Sequence, residues 1–84
     1  MVSRVILYKK AKDELSELPR TVQLRIARAI DDLERFPEVK TGTRKLKSPF
    51  QGYRKRVGNL RILFDFEDGL VYVRKIMDRK DAYR

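Results

Sequence analysis

The chain has 84 residues, with 21 Lys and Arg against 12 Asp and Glu, a formal net charge of +9, and no Cys, His or Trp. That length bounds it to one small folding unit with little core to spare, expected over residues 1–84. The missing residue types exclude disulfides, thiolates, the usual zinc and haem ligand sets and a histidine acid or base, so any chemistry rests on Arg, Lys, Tyr, Asp or Glu.

No apolar run reaches the roughly 20 residues that span a bilayer, and the N-terminal MVSRVILYKK is charged too soon for a signal peptide. A soluble, cytoplasmic protein is expected, with neither membrane nor metal as partner. The hydrophobic share of 42% supports a packed core, while 39% charged residues and a pI near 10.2 point to a polyanionic partner. RNA, DNA, an acidic membrane leaflet and an acidic protein satisfy that charge equally. The surplus is uneven: residues 1–43 carry 9 basic and 7 acidic side chains, residues 44–84 carry 12 and 5. The first half alternates its signs as solvated helix faces do, so the polyanion site is expected in the second half.

Val2 to Tyr8 is β-branched and apolar and predicts a strand. Tyr8, Ala11, Leu15 and Leu18 then fall on one helical face, a pattern that ends at Pro19. Pro19 suits the first turn of a second helix, in which Val22, Ile26, Ala29, Ile30 and Leu33 recur until Phe36-Pro37. Each helix has one apolar stripe, and together they need a sheet to cover. After a loop around Thr41-Gly42-Thr43 and Ser48-Pro49, Tyr53 to Val57 alternates as a strand. Gly58-Asn59 and Asp68-Gly69 mark tight hairpins on either side of a strand whose Leu60, Ile62, Phe64 and Phe66 share a face, and Leu70 to Met77 forms the last strand. The expected fold is α+β, a small β-α-α-β-β-β domain: an antiparallel sheet with a helical hairpin packed on one face.

If Leu60, Ile62, Phe64 and Phe66 lie under the helices, alternation turns Arg61 to the opposite face. Arg54 and Arg56 would join it there, while Lys55 would point back to the helices. Three such arginines repel one another and ask for an anionic ligand; the same pattern also describes three solvated side chains on an open face.

The run from Tyr53 to Phe64, YRKRVGNLRILF, followed by Asp78-Arg79-Lys80-Asp81-Ala82-Tyr83, resembles the RelE/ParE toxin superfamily, in particular its RelE-like messenger RNA interferase branch. The resemblance extends over the leading strand, both helices and Lys45-Leu46. It implies a toxin of a type II toxin-antitoxin system that cuts messenger RNA on the ribosome and blocks translation. It further implies a mechanism with no metal or other cofactor, in which the ribose 2′-hydroxyl attacks the adjacent phosphorus. By the resemblance, Arg61 contacts the scissile phosphate, Arg79 stabilises charge on it, and Tyr83 stacks on a base and takes the 2′-hydroxyl proton. Arg54 and Arg56 stand where the resemblance implies basic residues, often lysines, and are expected to bind RNA or phosphate; Lys80, next to Arg79, is expected to do so as well but has no role that the resemblance assigns. Tyr83 also fits a terminal residue that merely packs, and Asp78 stands where many relatives have His, either orienting Arg79 or Arg61 or serving as a surface carboxylate. Arginine does not give up its proton as a lysine can, so Arg54 and Arg56 suit charge stabilisation, and the acid for the leaving oxygen is left open. The implied partners are a cognate antitoxin protein, the ribosome and messenger RNA. Two further functions stay open: a ParE-like toxin that inhibits DNA gyrase without nuclease activity, and a non-catalytic RNA-binding relative.

Overall fold

In the computed structural model, which describes residues 3–78, the order of elements is β1 (Arg4–Leu7), α1 (Lys9–Ser16), α2 (Arg20–Leu33), β2 (Thr43–Lys45), β3 (Tyr53–Val57), β4 (Leu60–Glu67) and β5 (Leu70–Asp78). The strands form one sheet in the order β1-β5-β4-β3-β2. The α+β architecture is the expected one, with the helical hairpin on one face of the sheet. Two details differ. The sheet is mixed, because β1 pairs parallel to β5, from Arg4 opposite Leu70 to Leu7 opposite Val73. Parallel pairing needs a long connection between the partners, and here everything from α1 to β4 provides it. The second difference is β2, in a stretch expected to be loop. Thr43, Arg44 and Lys45 show no apolar alternation, and only their pairing with Lys55, Arg54 and Tyr53 makes them a strand. A three-residue edge strand with two cations also discourages pairing with another chain.

The expected stripes enter the core except for Tyr8, which is the N-cap of α1 and 45% exposed. Ala11 from α1 and Ile26, Ala29 and Leu33 from α2 pack on Ile62, Phe64, Val71, Val73 and Ile76 of the sheet, with Leu15, Leu18, Val22, Ile30, Leu60 and Phe66 around them. Phe36, expected only as a helix stop, is buried at the centre of an aromatic group. Its ring meets those of Tyr53, Phe64 and Phe66 edge-on, with centroids 5.1, 5.2 and 5.0 Å away. Edge-to-face contacts of this kind add to simple burial.

Pro19 is the N-cap of α2, one position ahead of its first turn, with ψ at 150°. Its carbonyl accepts the Val22 and Gln23 N–H groups. The Gln23 side-chain amide donates to Leu15 O and Ser16 O at 3.1 and 3.3 Å. The helical hairpin thus satisfies carbonyls that the end of α1 leaves open. A helix carboxylate serves the sheet in the same way. β1 pairs with β5 only as far as Val73, and beyond it the Ile76 N–H donates to Glu14 Oε1 at 3.0 Å. The β4–β5 turn has φ of 51° at Asp68 and 76° at Gly69, the left-handed pair of a type I′ hairpin.

Candidate phosphate-binding face

Register decides which side chains meet on the sheet's far face. In the β3–β4 pair, Tyr53 lies opposite Phe64, Lys55 opposite Ile62 and Val57 opposite Leu60, and these turn toward the helices. The alternate pairs, Arg54 with Leu63 and Arg56 with Arg61, therefore turn away. The neighbouring strands extend both rows. One runs Lys75, Leu63, Arg54, Arg44 from β5 to β2; the other runs Met77, Arg61, Arg56. The three expected arginines thus share the far face with Arg44 and Lys75, while Asp65 and Glu67 of β4 and Arg4 of β1 lie further along the same face.

The two added cations have physical reasons for being overlooked. Arg44 belongs to β2, which has no periodic signal of its own. Lys75 lies past an irregularity at which Leu63 pairs with Lys75 but Phe64 with Val73, leaving Arg74 as an extra residue in β5. An inserted residue shifts strand parity, so alternation counted from Leu70 assigns Lys75 to the wrong face.

The cations differ in access. Arg44 and Arg56 are exposed and Arg54 is half-buried. Arg61 is only 6% exposed, and its Nη1 lies 3.4 Å from Leu60 O. Arg44, Arg54, Arg56 and Lys75 make no ion pair with another described residue. Arg79, Lys80 and Tyr83 lie outside the described residues. The last described residue, Asp78, pairs with Leu60, beside Arg61.

Lys55 points away from this face, as alternation requires. Its Nζ donates to Thr41 O at 2.6 Å and lies 3.9 Å from Asp32 Oδ2, while Arg35 holds Asp32 Oδ1 at 2.8 Å. Burial pulls the Lys55 pKa below the ordinary lysine value, and the nearby Asp32 carboxylate opposes part of that shift.

Residues 5–83 match the family model described as the ParE toxin of the type II toxin-antitoxin system parDE. The chain belongs to the RelE/ParE toxin superfamily. It is 27% identical over 88 aligned positions to the protein named RelE1 of Methanocaldococcus jannaschii, covering all of this chain and 98% of that one. The RelE–RelB complex of Pyrococcus horikoshii contains a similar chain at 27% identity and a TM-score of 0.76, with 98% of this chain and 100% of that one covered. The toxin-antitoxin complex RelBE2 of Mycobacterium tuberculosis contains the same fold, with a TM-score of 0.81, 23% identity and coverage of 94% and 100%. This member of the superfamily is a type II toxin, and its far sheet face is the basic one.

Proposed function

We propose that this RelE/ParE toxin is a ribosome-dependent endoribonuclease that cuts messenger RNA and thereby stops translation. The observation that carries the reading is the pair of cationic rows, in which Arg44, Arg54 and Arg56 have no carboxylate partner among the described residues while Arg61 sits directly opposite Arg56. Such a face neutralises a phosphodiester and holds it in place. In the reaction the ribose 2′-oxygen forms a bond to the adjacent phosphorus and the bond from phosphorus to the 5′-oxygen breaks, leaving a 2′,3′-cyclic phosphate and a 5′-hydroxyl. Arg61 and Arg79 stabilise negative charge on the phosphoryl oxygens. Tyr83, as the phenolate, takes the 2′-hydroxyl proton, and the leaving 5′-oxygen takes one from solvent water. Arg54, Arg56 and Lys80 bind the phosphates on either side. Lys55, held on the helix face by Thr41, is not the donor to the leaving 5′-oxygen. The protein acts in the cytoplasm and is restrained by a cognate antitoxin; the similar chains of Pyrococcus horikoshii and Mycobacterium tuberculosis were both solved as toxin-antitoxin complexes.

The test is brief induction followed by mapping of transcript 5′ ends. Cuts within translated codons are expected from the wild type. Removing one group that stabilises transition-state charge costs about 10²–10³ in rate, so Arg61→Ala and Arg79→Ala should abolish the cuts on that timescale. Tyr83→Phe should slow cleavage more than it weakens ribosome binding, and equal losses in both would remove the phenol from proton transfer. A second reading, inhibition of DNA gyrase, draws on the ParE description of the matching family model. Intact transcripts with arrested supercoiling would favour it, and RNA binding without cleavage would instead mark a non-catalytic relative.

A further inference from the structure

The β2–β3 loop leaves the basic face at its outer edge and encloses a pocket of about 390 Å³, lined by Arg44, Lys45, Leu46, Lys47, Ser48, Phe50 and Arg54. Four cations and no carboxylate border it, and none of the four forms an ion pair with another described residue. Phe50, which also lines the pocket, is 43% exposed.

The loop is closed and braced. Leu46 N–H donates to Gly52 O at 2.9 Å, and Phe50 N–H donates to Lys47 O at 3.0 Å. From β5, Arg74 Nη2 donates to Gln51 O at 2.8 Å while its Nε lies 3.1 Å from Asp65 Oδ2. Gly52 sits tightly against this pair: at φ 92°, a Cβ there would lie 2.5 Å from Asp65 Oδ1, 2.7 Å from Phe64 O and 2.9 Å from Arg74 Nη2. The pocket is therefore formed before any ligand arrives, which lowers the ordering cost of binding.

We infer that this pocket is a nucleotide subsite for single-stranded RNA, with the base stacked on Phe50 and the flanking phosphates held by Lys47 and Lys45. An aromatic plane beside unpaired cations is the combination that single-stranded nucleic acid uses, since every base offers a ring face and every linkage a charge. Arg44 and Arg54 line the pocket and also form the end of the Lys75–Leu63–Arg54–Arg44 row, so a strand in the pocket continues onto the phosphate-binding face. The inference deepens the nuclease reading by placing part of the RNA track outside the reacting centre, and it is tested by binding, independently of cleavage.

The experiment uses the full chain, made by cell-free synthesis, and fluorescence anisotropy with a labelled single-stranded RNA decamer over a range of salt. Stacking on one aromatic side chain is lost in Phe50→Ala, which should weaken binding by about tenfold or more. Lys47→Ala should lower the slope of log K against log salt by about 0.7, the share of one phosphate on a single strand. Arg61→Ala should abolish cleavage while Phe50 still contributes to binding, so failure of the nuclease reading and failure of the subsite give different results. Affinity within twofold of wild type in Phe50→Ala, with an unchanged thermal melt, overturns the inference. Equal binding of a glutamate-rich decapeptide, lost in the same variants, also overturns it by making the pocket a surface for an acidic protein.

Discussion

Lys55 sits among the arginines in sequence yet is 4% exposed and turned into the fold, where its ammonium serves Thr41 O and faces Asp32. Burial holds its folded pKa below the unfolded one. The unfolded chain therefore binds more protons in the interval between those two values, and stability rises with pH across it. The cost of burying the charge is fully present below the folded pKa and is relieved as pH approaches the ordinary lysine range; a neutral amine still donates to Thr41. Lys55→Met removes this titration while keeping the stem's packing. The melting temperature of wild type minus that of Lys55→Met should shift in favour of the wild type between pH 7 and pH 10, read by circular dichroism. A difference that stays flat or shifts the other way would show that the ammonium is well solvated in the fold. The sequence indicates which face Lys55 takes, because alternation from Tyr53 to Val57 is unbroken. It does not indicate Thr41 and Asp32 as its surroundings, since these come from a loop and a helix far away in the chain.

At the scale of elements, β3 and β4 show what alternation can and cannot disclose. The two-residue Gly58-Asn59 connection pairs Val57 with Leu60, which makes Arg56 the cross-strand partner of Arg61. The meander, the helical hairpin and the arginine face were legible because each rests on local periodicity. The parallel β1–β5 pairing, the edge strand β2 and the position of Lys75 were not, because they depend on long-range register and on a residue inserted into β5. The Arg56–Arg61 pair also has an energetic consequence. Like charges directly opposite on one face are destabilising, by about 0.2–1 kcal/mol for such pairs. Arg56→Gln should therefore raise the melting temperature by a few degrees, as expected for a domain of this size, while weakening RNA binding. Lower stability in this variant would mean that Arg56 gives more to packing than it loses to repulsion.

At the scale of the whole molecule, the first half nearly balances its charges while the second half carries the surplus of cations. The carboxylates of the first half, Asp13, Glu14, Glu17, Asp31, Asp32, Glu34 and Glu38, lie in or next to the helices. The far face carries Arg44, Arg54, Arg56, Arg61 and Lys75 at one end and Asp65 and Glu67 nearer the β4–β5 turn. Of the net +9 of the chain, residues 3–78 carry +7, from 18 basic and 11 acidic side chains, in a fold with a radius of gyration of 11.8 Å. Repulsion across a molecule of this size depends on salt, because the screening length is about 30 Å at 0.01 M and about 10 Å at 0.1 M. At the lower concentration every cation on the face acts on every other; at the higher one only near neighbours do. Salt also weakens attractive contacts. Arg35–Asp32 and Arg74–Asp65 are solvent-accessible, and pairs of that kind contribute about 0–1 kcal/mol. Repulsion should dominate, so the melting temperature of the free protein should rise as sodium chloride increases from 0.01 to 0.2 M. A falling melting temperature would show that the ion pairs outweigh the crowding of cations on the sheet. Stability and RNA affinity should move in opposite directions over that range, since the same screening that relieves the cationic face also weakens its hold on a phosphate backbone.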